Sequence, residues 1–120
     1  MKTGIELITE ERARQISSEG WTAAHDAGHH RGELSAAAAS YAMAASAQVR
    51  YNRESMADIT PPSQWPWDAE WWKLSDDPVR TLAKAGALIA AEIDRINAKR
   101  RMEEAVVGMI DPHARGLADS

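Results

Sequence analysis

The clearest hydrophobic periodicity of the chain lies between Asp77 and Arg101. Apolar or small residues recur there every three or four positions and so share one helix face: Val79, Leu82, Gly86, Ile89, Ile93 and Ile96. Asp77 is a good helix cap, and Pro78 suits the first helical position because its missing amide hydrogen is not needed there. The pattern predicts a helix whose apolar seam belongs to a bundle core or to a dimer interface.

A second stripe predicts a helix over residues 31–49. Its members are spaced by three or four residues and are Leu34, Ala38, Tyr41, Ala45 and Val49, with Ala37 and Ala44 widening the stripe. Alanine has the strongest helix propensity of all residues. The resulting surface is nearly smooth, so it suits close approach by a partner helix or a flat ligand.

A shorter helix is predicted ahead of these two. Thr9 can cap free amide groups, and the carboxylates of Glu10 and Glu11 favour the positive end of a helix dipole. We expect this helix to run to about Ser18, where Gly20 follows as a stop signal. Ile16 is then its only large apolar side chain, so the helix must pack on another element to persist.

Residues 51–77 lack helical periodicity and are rich in proline and tryptophan. Prolines at 61, 62 and 66 forbid a continuous helix, and four tryptophans crowd into the same stretch: Trp65, Trp67, Trp71 and Trp72. We expect so aromatic a loop to fold back and close the core. The pattern weakens after Arg101, so a loose tail is expected over residues 104–120.

These patterns together predict an all-α fold. We expect a small bundle of about three main helices with a Trp/Pro-rich wrapping loop, forming a single domain over residues 1–120 with an ordered core over about 5–103.

Composition removes several classes of function. With 14 basic and 18 acidic residues the net charge is −4, which disfavours duplex nucleic acid as a partner. The absence of cysteine excludes disulfides, iron–sulfur clusters and thiol catalysis. The longest uncharged run, residues 34–49, is too short for a membrane span, and residues 1–6 show no signal-peptide core. We therefore expect a cytoplasmic protein with no membrane partner.

The segment from His25 to Glu33 holds three of the four histidines. In a helix, His25, His29 and Glu33 would share one face and could hold a divalent ion or act as an acid–base group without metal. Glycines at 28 and 32 weaken such a helix, and the favoured interpretation is a polar loop in which His25 or Asp26 caps the second helix. No metal or cofactor is part of the prediction.

The tryptophan cluster also has two interpretations. Buried tryptophans supply apolar area, whereas exposed ones form stacking platforms for nucleobases. Core or interface packing is favoured for most of them, with Trp21 and Trp72 expected to serve both purposes. The phosphate-binding loop, the dinucleotide-binding glycine pattern and the nucleophile elbow are all missing from the sequence.

Two strings of residues together resemble a small uncharacterised family of phage and prophage proteins. The resemblance spans about residues 9–96. The first string is Glu19-Gly20-Trp21-Thr22, His25-Asp26, His29, Gly32-Glu33-Leu34, Ala37-Ala38 and Tyr41. The second is Trp65-Pro66-Trp67, Trp71-Trp72-Lys73, Asp77, Arg80, Lys84-Ala85-Gly86-Ala87-Leu88-Ile89 and Ala91-Glu92-Ile93-Asp94-Arg95. Residues 12–21 also resemble, faintly, the ryanodine-receptor repeat domain, a small helical module.

The resemblance implies a phage origin, and many small phage proteins act against host defence. By analogy, we expect a binding module that sequesters a nucleotide-type immune signalling molecule, as a homodimer or higher homo-oligomer. Its expected ligand contacts fall into three groups: Trp21, Trp67 and Trp72 around the ring, His25, Asp26 and Glu33 at base or ribose, and Arg80 and Lys84 at phosphate.

Two alternatives belong to other classes of function. One is a hydrolase that cleaves such a nucleotide with His25, His29 and Glu33 as its working groups. The other is an adaptor whose exposed helical seam binds a host protein.

Overall fold

The computed structural model describes residues 1–19 and 31–110. Helix α1 spans Gly4–Glu19, α2 spans Glu33–Arg50 and α3 spans Pro78–Ile110, with one turn of 3₁₀ helix at Ala69–Trp71. These ranges contain no β-strand, so the predicted all-α class is confirmed. None of the helices in the described ranges combines the length and apolar character needed to cross a bilayer.

Helix α1 begins earlier than the sequence pattern predicts. The Thr3 hydroxyl oxygen accepts the Glu6 amide hydrogen at 3.2 Å, and the Glu6 carboxylate accepts the Thr3 amide hydrogen at 3.2 Å. This reciprocal capping box satisfies two amides that a helix start leaves open. The predicted start at Thr9 is therefore wrong: Thr9 lies inside α1, where its hydroxyl donates to the Ile5 carbonyl oxygen at 2.8 Å.

Helix α2 matches its predicted range and most of its predicted buried stripe. Leu34, Tyr41 and the alanines at 37, 38 and 45 are buried. The last predicted member, Val49, is 64% exposed, and Gln48 takes its place. Gln48 Nε2 donates to the Asp76 carbonyl oxygen at 2.6 Å, which ties the end of α2 to the segment before α3.

Helix α3 starts as predicted and ends later. The Asp77 carboxylate accepts the amide hydrogen of Val79 at 3.0 Å, and Pro78 is the first helical residue. The helix then continues to Ile110, so residues 104–110 of the expected tail are helical. Gly108 did not end it, because glycine costs only about 1 kcal/mol relative to alanine inside a helix. Residues 111–120 of the expected tail lie outside the described residues.

The core lies between α2 and α3, which run antiparallel. Ser35, near the start of α2, contacts Glu92 of α3, while Gln48 near the end of α2 contacts Asp76 just before α3. Small side chains dominate the contact, with Leu34 and Leu88 as the large fully buried ones; the alanines are 37, 38, 85 and 91. Tyr41 and Trp65 complete this cluster, so the loop does fold back onto the core as predicted.

The predicted seam of α3 is not the face that fills the core. Thr81, Ala85, Leu88 and Glu92 are buried instead, whereas four seam residues are about half exposed: Val79 by 51%, Leu82 by 47%, Ile89 by 50% and Ile93 by 52%. Two other members of the seam are partly buried: Gly86, on which Ile8 of α1 packs, and Ile96. The prediction that these four residues fill a bundle core is therefore wrong, and the dimer interpretation stays a prediction.

A partly buried polar cluster links α2 to α3. The Glu92 carboxylate accepts a hydrogen bond from the Ser35 hydroxyl at 2.8 Å and one from Arg95 Nε at 2.6 Å. Burial by itself raises the pKa of Glu92, but these hydrogen bonds and the charge of Arg95 outweigh it and lower the pKa below its ordinary value of 4.5. The carboxylate is therefore ionised in the fold and stabilises it as an anion.

The Gly86 contact predicts an unusual response to alanine. A Cβ atom at Gly86 would lie 2.5 Å from Ile8 Cδ1 and 2.7 Å from Cγ1. Overpacking of about 1–3 kcal/mol exceeds the roughly 1 kcal/mol gained in helix propensity, so Gly86→Ala lowers the free energy of unfolding by about 1 kcal/mol. In an Ile8→Ala background the same change becomes stabilising. Urea unfolding of the four proteins measures both effects, and a Gly86→Ala protein more stable than wild type would contradict the packing.

The Glu92 cluster predicts a pH-dependent stability difference. Because the folded-state pKa of Glu92 is lowered, its contribution is fully present above the ordinary value of 4.5 and is lost as pH falls through the folded-state pKa. We expect Ser35→Ala to lower the free energy of unfolding by about 1–2 kcal/mol at pH 7, since it removes a hydrogen bond to a charged group. The difference in free energy of unfolding between Ser35→Ala and wild type should become smaller as the pH falls and Glu92 becomes protonated. Unfolding curves from pH 7 to pH 3 test this, and a constant gap would argue against the assignment.

Candidate functional site

A cleft of about 830 Å³ lies where α1, α2, α3 and the tryptophan loop meet. Its volume is within the range of small-molecule sites, roughly 300–1,000 Å³. Helix α1 contributes Glu11, Arg14 and Gln15; α2 and α3 contribute Leu34, Tyr41, Lys84 and Leu88; the loop contributes Trp65, Pro66, Trp67, Asp68, Trp71 and Lys73. We call this the aromatic cleft.

The aromatic wall of the cleft is a set of packed rings. Tyr41 stacks on Trp72 with ring centroids 5.1 Å apart and an interplanar angle of 4°. Trp65 meets Tyr41, Trp67 and Trp72 edge-on, with centroids 4.9–5.3 Å away. The indole N–H of Trp65 donates to the Asp68 carbonyl oxygen at 3.1 Å, and that of Trp72 to the Ile59 carbonyl oxygen at 2.9 Å. The wall is thus held by both ring packing and hydrogen bonds.

The Tyr41 hydroxyl holds the backbone of Trp71 and Lys73, which form the rim of the cleft. The hydroxyl accepts the Lys73 amide hydrogen at 3.3 Å and donates to the Trp71 carbonyl oxygen at 3.4 Å. The Lys84 ammonium donates to the Lys73 carbonyl oxygen at 2.8 Å and thereby joins α3 to the same segment. Trp71 itself is 57% exposed, so much of this residue is accessible to solvent at the rim.

Two ammonium groups lie beside aromatic rings of the cleft. Lys73 Nζ is 5.8 Å from the centroid of the Trp71 ring, and Lys84 Nζ is 5.9 Å from that of Tyr41. Both distances are within the range of cation–π attraction. The cleft therefore places positive charge at the edges of flat apolar surfaces.

Helix α1 is unusually polar on its buried side, and three of its side chains line the cleft: Glu11, Arg14 and Gln15. Its buried side carries Ile8, then Glu11, Arg12 and Gln15 at helical spacing; Glu11 is 5% exposed and Gln15 is 2% exposed. Arg14 holds the Glu11 carboxylate with two hydrogen bonds, from Nε at 3.0 Å and from Nη2 at 2.6 Å. This bidentate pair fixes the guanidinium of Arg14 at the cleft wall.

The predicted site residues are only partly brought together. Trp67 and Lys84 line the cleft. Trp72 stacks on Tyr41 and is not a lining residue, so within the described chain it belongs to the core. Arg80 lies outside the lining, with Nη1 3.9 Å from Glu11 Oε2, and Glu33 accepts the Arg31 amide hydrogen at 3.1 Å at the start of α2. Trp21, His25, Asp26 and His29 lie outside the described residues.

Most of the lining residues were not predicted as ligand contacts, among them Arg14, Gln15, Trp71 and Lys73. Arg14 and Gln15 lie on a short helix. Its polar side chains are expected to face solvent unless it is known which helix packs against them. Trp71 and Lys73 belong to the recognised tryptophan cluster, but sequence alone does not distinguish the exposed tryptophan from the buried ones. The spacing of Ile8, Glu11, Arg12 and Gln15 on one helix face is the signal that was available.

Among residues 1–19 and 31–110, no group of three or more histidine, aspartate or glutamate side chains is placed to hold a metal ion. Comparison with family models, with curated proteins and with solved structures finds no match to this chain.

Proposed function

We propose that this protein binds and sequesters a small nucleotide-type ligand in the aromatic cleft. One observation carries the proposal: a cleft of suitable volume sets the open ring of Trp71 beside the ammonium group of Lys73. A nucleotide combines a flat ring with an anionic phosphate, so it matches both groups.

Stacking supplies the first part of the recognition. An exposed indole gains roughly 1–3 kcal/mol for each base that stacks on it. Trp71 is 57% exposed, and the packed rings of Tyr41, Trp65 and Trp67 line the same cleft. The flat ring of the ligand would lie against this surface.

Charge supplies the second part. The described lining holds three cationic side chains, Arg14, Lys73 and Lys84, and two carboxylates, Glu11 and Asp68. Because Glu11 is engaged by Arg14 at 2.6 Å, its negative charge is compensated within the wall. The remaining positive groups favour an anionic ligand such as a phosphate ester.

Sequestration is favoured over cleavage by the chemistry of the described lining. Glu11 is held in an ion pair and is not placed as a general base. The resemblance to phage and prophage proteins supports a biological setting in which the captured nucleotide is an immune signal of the host. In that setting, holding the ligand intact is sufficient.

A thermal-shift screen tests the proposal with linear and cyclic nucleotides and ADP-ribose derivatives. A ligand that binds only the folded state raises the melting temperature by mass action. Trp71→Ala should leave the melting temperature of the free protein nearly unchanged, because the side chain is mostly exposed, and should weaken binding by roughly ten-fold or more. Tyr51→Ala is the matched control, since Tyr51 is 70% exposed and does not line the cleft.

Chromatography of the released ligand separates the possible activities. Recovery of the intact ligand supports sequestration. A new product would show that the protein is a hydrolase instead. If no nucleotide shifts the wild-type protein, the proposal fails and a host protein becomes the partner to seek.

We further propose that the protein is a homodimer formed through the exposed part of the α3 seam. Val79, Leu82, Ile89 and Ile93 present four large apolar side chains on one helix, and α1 covers only the Gly86 position between them. The alternation of three- and four-residue spacing suits packing against a second helix, and a two-fold dimer buries the same stripe on both copies.

Light scattering on the purified protein tests the dimer. We expect twice the monomer mass for wild type and the monomer mass for Ile89→Glu, because a charge in the seam opposes its burial. Val49→Glu is the control, as Val49 is 64% exposed, lies on α2 and is not a member of the seam. A wild-type monomer at micromolar concentration would overturn this proposal and leave the ligand proposal standing.

A further inference from the structure

The Asp68 carboxylate is a charge in the cleft lining that the fold itself does not engage. Asp68 is exposed and lines the aromatic cleft. It is the N-cap of the 3₁₀ turn at Ala69–Trp71, a position where aspartate usually caps the following amides, yet its side chain makes no capping hydrogen bond. Within residues 1–19 and 31–110 this carboxylate also has no ion-pair partner. It is therefore accessible to a ligand and not used by the local structure.

The backbone of Asp68, by contrast, is held by two hydrogen bonds. Its carbonyl oxygen accepts the indole hydrogen of Trp65 at 3.1 Å and the amide hydrogen of Trp71 at 3.0 Å. The second bond closes the 3₁₀ turn, in which residues three apart lie on the same side. Asp68 and Trp71 both line the cleft, so the turn places the carboxylate on the same side as the exposed tryptophan.

A carboxylate at this position has two opposite effects on a nucleotide. Its negative charge repels the phosphate and so weakens the binding of any anion. An ionised carboxylate also accepts hydrogen bonds at both of its oxygens, and such charged hydrogen bonds are stronger than neutral ones. It therefore favours nucleotides that present two neighbouring donors and disfavours nucleotides that present none.

We infer that Asp68 selects the ligand of the aromatic cleft by accepting hydrogen bonds from two neighbouring donor groups of the nucleotide. This inference rests on the proposed nucleotide-binding function and adds the residue that makes it selective. Nucleotides carry such donors in two places, the vicinal hydroxyls of ribose and the N–H edge of guanine. The chemistry toward Asp68 is the same in both cases, so the ligands of the test separate the two sources.

The test compares nucleotides that differ in these donors alone. Adenosine monophosphate has the vicinal hydroxyls, dideoxyadenosine monophosphate lacks them, and dideoxyguanosine monophosphate lacks them but has the guanine edge. All three carry the same phosphate, so its repulsion by Asp68 cancels in each comparison. Calorimetric titration of the wild-type protein should show that at least one of the two donor-bearing nucleotides binds roughly ten-fold tighter than dideoxyadenosine monophosphate, as expected for hydrogen bonds to a charged group.

Asp68→Ala removes both the acceptor and the repulsion. The donor-bearing nucleotide should lose its advantage, while dideoxyadenosine monophosphate should bind as tightly as before or tighter, because only the repulsion is gone. Glu70→Ala is the matched control: Glu70 is an exposed carboxylate of the same turn that does not line the cleft, and this variant should keep the preference of wild type. Melting temperatures of the free variants verify the fold, which Asp68→Ala should leave intact because the side chain is exposed.

The outcomes separate the inference from the proposed function. Loss of the preference for adenosine monophosphate in Asp68→Ala identifies ribose as the source of the donors, and loss of the preference for dideoxyguanosine monophosphate identifies guanine. A preference that persists in Asp68→Ala, or equal binding of all three nucleotides to wild type, overturns the inference and preserves the function. Equally tighter binding of all three to Asp68→Ala also overturns it, since Asp68 would then only repel the phosphate. If neither these nor any other nucleotide binds the wild-type protein, the proposed function itself fails.

Discussion

The close approach of α2 and α3 is the constraint on which the rest of the structure depends. Alanines at 37, 38, 85 and 91 let the two helices pack tightly, but each contributes little apolar area. The chain has no phenylalanine, so the missing volume must come from elsewhere. Tyr41 and the tryptophan loop supply it, which explains why a proline-rich segment is held against the core.

The same arrangement produces the cleft. Trp65 and Trp72 pack on Tyr41, whereas Trp71 stays at the rim and is 57% exposed. Lys84 reaches from α3 to the Lys73 carbonyl oxygen and fixes the rim over the core. The binding surface is thus an extension of the hydrophobic core and needs no separate scaffold.

The sequence predicts a helix start or a buried helix face correctly where a few neighbouring residues are enough to determine it. The start of α3 follows from Asp77 and Pro78 alone, and the alanine stripe of α2 follows from its spacing. The start of α1 was missed because Thr9 with Glu10 has the same local chemistry as Thr3 with Glu6. The seam of α3 was predicted to belong to a bundle core or to a dimer interface, because its spacing alone does not show which residues of the helix α1 and α2 cover. Glu11 and Gln15 belong to the site for the same non-local reason.

The close contact between Ile8 and Gly86 affects how strongly α1 is held against α3. Ile8 packs on Gly86 there, and the fully buried side chains of α1 are the polar ones of Glu11 and Gln15. Because it buries few apolar side chains, we expect α1 to open as a local unit while α2 and α3 stay packed. A ligand that contacts both α1 and the aromatic wall would stabilise the packed position of α1. Binding of that ligand and packing of α1 on α3 are therefore thermodynamically coupled.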